Sequence, residues 1–209
     1  MSDTTWYGQE GEPVVVLAHD WNGRLAWIDD FAARLAAEGY RVAVPDFFAG
    51  RSTTDDAEAG ALLRERLADM PGALHLVAEA IGEARALGSH NAGVVGFSMG
   101  ASIALAYAAQ GSVDAVVAYY GSARGGVTPR VPVLFQLAET DDWSGVEAPE
   151  DLQARLAAEG FDRIELLRHE GAVHGFQNAQ VERRFHADAS AAAWDTTLAF
   201  LREHLQAPA

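Results

Sequence analysis

Short apolar runs alternate with amphipathic stretches along most of the chain. Strands are predicted at residues 13–18, 41–44, 92–97, 115–119, 131–137 and 163–167. The run 13–18 does not alternate with polar residues, which is typical of a strand buried on both faces. Between the predicted strands, apolar residues recur at helical spacing over residues 26–38, 55–69, 72–87, 101–110, 149–159 and 188–205. Gly39, Pro45 and Pro71 stand at element boundaries, where these residue types end helices and strands.

This alternation predicts an α/β fold with a mostly parallel central sheet and helices on both faces. A chain of 209 residues is large enough to bury a sizeable core and short enough for one domain. No internal repeat or low-complexity linker divides the sequence. We therefore expect a single domain over residues 1–209.

Composition narrows the possible partners. The formal charge of −15 argues against nucleic acid and anionic membranes, and no apolar run approaches the length of a membrane span. There is no cysteine, which excludes disulfides and a thiol nucleophile. The first residues have neither a basic nor an apolar segment of the kind found in secretory signals. We expect a cytoplasmic protein, a monomer or small homo-oligomer, that acts on a small molecule.

A serine between two glycines follows one apolar run and begins an alanine-rich helical stretch. The five residues are Gly96-Phe97-Ser98-Met99-Gly100. In a tight strand-to-helix turn, side chains two residues to either side of the serine would collide with the neighbouring strand and helix, so glycine is required there. The pattern also arises by chance, so the surrounding elements have to support it. We interpret it as a nucleophile elbow with Ser98 at its tip.

A serine hydroxyl needs a base to become a nucleophile, and the base needs an orienting acid. In an α/β-hydrolase arrangement the acid and then the histidine follow the serine, each just past the end of a strand. The run 131–137 leads into Asp141 and Asp142, and the run 163–167 precedes a loop that contains His174. We expect Asp141 as the acid, with Asp142 as the alternative, and His174 as the base.

The other histidines have settings that need no catalytic explanation. His169 ends a predicted strand and is expected at the surface. Four more lie on predicted helix faces or helix ends, where a solvated or capping role is expected: His75, His90, His186 and His204.

An acyl-transfer intermediate also needs two hydrogen-bond donors for its oxyanion. Met99 begins the helix after the elbow, where backbone N–H groups point outward without helical acceptors. The second donor normally comes from the loop after an early strand, here residues 19–23, and we assign it to the backbone N–H of Trp21. The indole of Trp21 is explained equally well by core packing.

With these motifs in order, the chain resembles the dienelactone hydrolase family of α/β-hydrolases over about residues 13–201. The resemblance implies the α/β-hydrolase fold, with Ser98, Asp141 and His174 at the nucleophile, acid and base positions. It also implies oxyanion amides at Trp21 and Met99. The segments that carry it are residues 14–23, 31–40, 45–46, 96–100, 119–121, 174–178 and 192–201.

The chain departs from the family pattern near the expected site. The best-known members carry cysteine where Ser98 stands, and where Asp20 stands they carry a glutamate that helps to generate the thiolate. Three alternative roles remain for Asp20: it orients Trp21, it fixes His19 or it contacts the substrate. Members that act on dienelactone hold its carboxylate with arginines, one of them shortly after the histidine. This chain has Phe-Gln-Asn at residues 176–178 and reaches arginine only at residues 183–184.

Two further features are candidates for the substrate pocket. Tyr119 and Tyr120 follow a strand near the expected site. The resemblance implies that one of them lines the pocket, and a core position explains them equally well. Trp143, after the acid loop, is a candidate for the pocket wall. Asp20 is the third candidate.

These residues and the resemblance predict a serine hydrolase that cleaves a small ester or lactone through an acyl-enzyme. No cofactor or metal is expected, because no cluster has metal-ligand spacing and no glycine-rich phosphate loop follows the first strand. Two alternatives remain open at this point. A thioesterase would use the same residues, and a non-catalytic binding protein would share the fold.

Overall fold

Strands and helices alternate along the chain in the computed structural model, which describes residues 3–142 and 147–206. In chain order the elements are β1 Thr4–Tyr7, β2 Val14–Ala18, α1 Ala26–Ala37, β3 Arg41–Pro45, α2 Asp56–Ala68, α3 Met70–Ala86, β4 Ala92–Phe97, α4 Met99–Ala108, β5 Ala115–Tyr119, β6 Val133–Thr140, α5 Pro149–Ala158, β7 Ile164–Val173 and α6 Ala187–Leu205.

The strands form one seven-stranded sheet in the order β1-β3-β2-β4-β5-β6-β7. All neighbouring pairs are parallel except β1 with β3. Side chains of α1 and α6 pack on one face, and those of α2, α3, α4 and α5 pack on the other. Because both faces are covered, β2, β4 and β5 are buried along their whole length. The α/β fold predicted from the sequence pattern is therefore confirmed.

Two strands differ from the sequence prediction. β1 was not predicted, because its four residues begin with Thr4 and Thr5 and are only half-buried; antiparallel pairing with β3 makes it a strand. β7 runs six residues further than predicted, through Val173, because it continues to pair with β6 past an irregularity between Ala138 and Thr140. The predicted loop before His174 is thus mostly strand, and His174 follows the strand directly.

The surface position expected for His169 is wrong. The residue lies within β7 and is buried, and its Nε2 is 2.7 Å from Oε1 of Gln136 on the neighbouring strand. Burial lowers the pKa of the His169 ring. The sequence prediction failed because it ended β7 too early.

The parallel strands bring the predicted site residues to one edge of the sheet. Ser98, Tyr120 and His174 directly follow β4, β5 and β7, and Asp141 directly follows β6. The loop with Trp21 follows β2, which neighbours β4. Parallel strands all end on the same side, so residues distant in the sequence meet at this edge.

Candidate active site

The turn between β4 and α4 holds Ser98 in a strained backbone conformation, with φ at 54° and ψ at −110°. The glycines on either side make the turn possible. A Cβ on Gly96 would lie 2.3 Å from the carbonyl oxygen of Gly100, and a Cβ on Gly100 would lie 1.9 Å from that of Ala18. The turn is therefore open only to glycine at both positions, and it lifts the Ser98 side chain above the sheet edge.

Ser98, His174 and Asp141 form a chain of hydrogen bonds. The Oγ of Ser98 is 2.8 Å from Nε2 of His174, and Nδ1 of His174 is 2.9 Å from Oδ2 of Asp141. With the proton on Nδ1 donated to the carboxylate, Nε2 is left to accept the hydroxyl proton. The neighbouring carboxylate of Asp142 is exposed and does not take part. This geometry fits base and acid positions at His174 and Asp141.

Two backbone segments that could supply amides lie near Ser98. α4 begins at Met99, and the first helical hydrogen bonds run from the N–H groups of Ala101 and Ser102 to the carbonyl of Ser98, at 3.0 and 3.3 Å. The Met99 amide therefore lies in the part of the helix that has no helical acceptor. The turn that carries Trp21 faces Ser98 across a small cavity of about 10 Å³, which both residues line.

Asp20 supports the turn that carries Trp21. Its Oδ1 accepts the N–H of Asn22 at 2.9 Å, and its carbonyl accepts the N–H of Gly23 at 3.2 Å. Its Oδ2 accepts the side-chain amide of Asn178 at 3.0 Å, which links this turn to the loop that follows His174. The side chain of Asp20 is 3% exposed and also borders the small cavity.

Burial raises the pKa of the Asp20 carboxyl to about 6, against the opposing effect of its hydrogen bonds with Asn22 and Asn178 and of the Arg184 charge. His19, packed beneath the same turn, is also fully buried. Its Nδ1 is 2.8 Å from the carbonyl oxygen of Asp20, and its Nε2 accepts the N–H of Phe47 at 3.1 Å. Burial lowers the pKa of His19 to about 4, so the ring is neutral near pH 7.

The raised pKa of Asp20 predicts a specific pH dependence of stability. The folded protein holds the Asp20 proton more tightly than the unfolded chain, so free energy of unfolding is lost as pH rises through the range from about 4 to 6. Asp20→Asn has no carboxyl at this position and does not show this loss. The free energy of unfolding of the variant minus that of wild type should therefore increase by about 2–3 kcal/mol between about pH 4 and pH 7. His19 is present in both proteins and cancels in the difference. Urea denaturation of the two proteins across this range measures the effect, and a constant difference would contradict it.

The two adjacent tyrosines have different positions. Tyr120 lines both cavities beside Ser98, and its ring centroid is 5.1 Å from that of His174. Its hydroxyl proton finds no acceptor among the described residues, and burial followed by the Asp20 charge raises its pKa well above the usual value. Tyr119 lies in the core instead, where its hydroxyl bonds to Oγ1 of Thr197 and donates to the carbonyl of Ala193. Trp143 lies outside the described residues.

A larger cavity of about 470 Å³ opens beside Ser98 and His174. It has the size of a typical small-molecule site. The sequence prediction did not find most of its walls. The leucines at helical spacing in α2 indicate an apolar helix face, but they do not indicate that this face lies beside Ser98. Its remaining lining residues are Leu63, Leu67, Met99, Ser102, Tyr120, Gly121, Ser122, Arg124, Leu137, Ala138, Glu139, Asp141, Ala148, Pro149, Glu150 and Arg168.

Ion pairs fasten α2 beside this cavity. Asp56, at the start of α2, accepts hydrogen bonds from Arg183 at 2.5 Å and from Arg184 at 2.9 and 3.0 Å. The Arg184 guanidinium also lies over the ring of Trp21, 5.2 Å from its centroid. The loop after His174, the Trp21 turn and α2 are thus connected through one arginine.

Residues 3–142 and 147–206 contain neither a metal-binding cluster nor a membrane-spanning helix. Within these ranges, no group of three or more His, Cys, Asp or Glu residues is placed to hold a metal ion. No helix of the same ranges combines the length and the apolar character needed to cross a bilayer.

A mostly parallel seven-stranded sheet with a serine at a strand-to-helix elbow defines the α/β-hydrolase class. Comparison with known proteins narrows the class. The chain belongs to the dienelactone hydrolase family, whose model matches residues 3–205, and the protein is accordingly a hydrolase. The resemblance described from the sequence is therefore confirmed.

Individual relatives are distant in sequence and similar in length. The chain is 29% identical over 206 residues to carboxymethylenebutenolidase of Pseudomonas putida, covering 90% of this chain and 85% of the relative. It is 27% identical over 210 residues to Protein usf of Aquifex pyrophilus, covering 93% and 90%.

Solved structures of similar fold include a dienelactone hydrolase-like promiscuous phosphotriesterase from metagenomic libraries. It has a TM-score of 0.83 at 18% identity and covers 96% of this chain and 92% of its own. A putative dienelactone hydrolase from Klebsiella pneumoniae has a TM-score of 0.79 at 22% identity, with the same coverage. At these identities the structures support the fold.

Proposed function

We propose that the protein hydrolyses small esters or lactones through an acyl-enzyme on Ser98. The observation that carries the proposal is the hydrogen-bonded chain from Ser98 through His174 to Asp141, at an elbow that opens into a 470 Å³ cavity. The names of the curated relatives, which include carboxymethylenebutenolidases, support a carboxylic ester or lactone as the substrate.

The proposed mechanism begins with attack of the Ser98 Oγ on the substrate carbonyl carbon while Nε2 of His174 takes the hydroxyl proton. Asp141 stabilises the imidazolium, and the backbone amides of Met99 and Trp21 hold the oxyanion of the tetrahedral intermediate. His174 then returns the proton to the leaving alkoxide as the carbon–oxygen bond breaks. Water, deprotonated by His174, attacks the acyl-enzyme and releases the acid, and the proton returns to Ser98.

Asp20 acts in this proposal through the backbone. It holds the turn whose amide at Trp21 contacts the oxyanion, and its own carboxylate does not react. Asp20→Asn keeps an oxygen acceptor for the Asn22 amide, so activity should stay within about tenfold of wild type. A loss as large as that of Ser98→Ala would assign Asp20 a direct role instead.

Labelling with a fluorophosphonate tests whether Ser98 is an activated nucleophile. We expect one label per chain, on the peptide that contains Ser98, and none in Ser98→Ala or in heat-denatured protein. Ser102→Ala is a matched control, because Ser102 lines the same cavity but donates its hydroxyl to the carbonyl of Ser122 and has no histidine partner. This variant should label like wild type. Folded wild-type protein without label would favour a non-catalytic binding protein.

A further inference from the structure

One wall of the 470 Å³ cavity is apolar. Leu63 and Leu67 lie one turn apart on the same face of α2 and border the cavity, and Met99 and Leu137 border it as well. α2 is anchored at its start by the hydrogen bonds from Arg183 and Arg184 to Asp56. An apolar substituent that binds against these side chains is transferred out of water onto an apolar surface, which is favourable.

The cations near Ser98 are already engaged or lie in solvent. The chain contains no lysine, so arginine is the only strong cation available. Arg168, in the large cavity, donates to the carbonyl of Ala138 and pairs with Glu150. Arg184, in the small cavity, is bonded to Asp56. Arg124 is exposed at the mouth, where water screens its charge.

The acidic groups that border the 470 Å³ cavity outnumber its two arginines. Glu139, Asp141 and Glu150 line it, against Arg124 and Arg168. A bidentate anion clamp needs a guanidinium that is free to face its ligand, and within residues 3–142 and 147–206 the cavity walls supply no buried one. A carboxylated substrate would therefore give up part of its hydration in this cavity without a buried cation to offset the loss.

We infer that the substrate of this site is an uncharged ester or lactone with an apolar chain or ring, and that Leu63 and Leu67 select it. The inference rests on the ester hydrolysis proposed above and adds the chemical class of the substrate. It assigns the apolar group to the wall formed by α2, and it excludes a carboxylate at the far end of that group.

Two ester series test the apolar part of the inference. One consists of methyl esters with acyl chains of two to eight carbons, and the other of acetates of alcohols with one to eight carbons. Rates of acid release give kcat/KM. In at least one series kcat/KM should rise about tenfold or more from the shortest member to the six-carbon member. The reason is that each added methylene is buried against Leu63 and Leu67. Leu67→Trp should abolish this rise, because the larger ring fills the space that the longer chains occupy. Ala61→Trp, at an exposed position of α2 that does not border the cavity, should keep it.

Matched pairs test the exclusion of charge. Methyl hexanoate is compared with monomethyl adipate, and hexyl acetate with 6-acetoxyhexanoate. In the pair taken from the series that shows the rise, wild type should cleave the uncharged ester with a kcat/KM about tenfold or more above that of the carboxylated ester. Leu63→Arg places a cation on the wall and should narrow or reverse this preference. Ala61→Arg is the control, since it adds the same charge at an exposed position of α2 that does not border the cavity, and its preference should match wild type.

Each outcome decides one of the two proposals. The inference is overturned if kcat/KM rises in neither series, or if the carboxylated esters are cleaved as fast as their uncharged partners. Faster cleavage of carboxylated esters that is lost in Arg124→Gln would assign the selection to Arg124. If no ester is cleaved and the fluorophosphonate leaves Ser98 unlabelled, the proposed function itself fails. The wild-type series decide the matter even if a variant does not fold.

Discussion

Ser98→Ala is expected to lower turnover of a simple ester by at least about 10³-fold. The variant removes the hydroxyl that forms the acyl-enzyme in the proposed mechanism, and it changes little else, because alanine fits wherever serine does in this turn. KM should change little, because the cavity walls that bind the substrate remain. Steady-state kinetics on a neutral aryl ester measure both values, and Ser102→Ala serves as the control from the same cavity.

His174→Ala is the second arm of this prediction. It should lower turnover by a similar factor, because Ser98 without its base stays protonated. The two residues act in one step, so the double variant should be at most a few-fold slower than either single variant. Near-native activity in both single variants would contradict the mechanism, and additive losses would mean that the two residues act in separate steps.

Asp141→Asn is expected to lower turnover by about 10²- to 10⁴-fold. The carboxylate holds the proton of His174 on Nδ1, at 2.9 Å, and thereby leaves Nε2 as the acceptor that faces Ser98. An amide at residue 141 can offer a hydrogen to Nδ1 and so favour the tautomer that protonates Nε2. That imidazole cannot take the proton of the serine.

Asp142→Asn provides the matched control for this prediction. It makes the same chemical change one residue away, on a side chain that is exposed and lies outside the hydrogen-bonded chain. Its turnover should stay within about threefold of wild type. Equal losses in the two variants would point to a general effect of charge near the site, and a larger loss at Asp142 would exchange the two roles.

Most of the strands and helices were predicted from the sequence pattern. The two strands that were not predicted correctly, β1 and β7, have physical reasons for the difference. The buried parallel strands were visible because both faces are covered and the sequence runs are continuously apolar. β1 was invisible because it is a half-buried edge strand whose stability comes from pairing with β3, distant in the sequence. β7 was predicted too short because its second half carries charged residues on an exposed edge and is held by its pairing with β6.

The candidate site was predicted in part. Ser98 was selected because it follows a predicted strand. Asp141 and His174 were selected by their order after Ser98 and by the loops expected to hold them, since the predicted end of β7 lay at residue 167 rather than at Val173. The cavity walls in α2 were not found, since nothing local says which helix face will lie beside Ser98. The contacts of the arginines could not be predicted from the sequence either. Nothing in the sequence distinguishes Arg184 from a solvent-exposed arginine, and only the structure shows its contacts with Asp56 and Trp21.

The sequence by itself determined the local requirements of the nucleophile turn. Glycine at 96 follows from sterics within the turn, since a Cβ there would meet the backbone of Gly100. Glycine at 100 is required by the neighbouring strand β2, whose Ala18 carbonyl a Cβ would meet. The tertiary structure alone decided which of two adjacent carboxylates meets His174, which of two adjacent tyrosines lines the cavity, and which arginines remain available. Those choices depend on the direction in which side chains leave neighbouring strands, and that direction is set by the pairing of strands far apart in the chain.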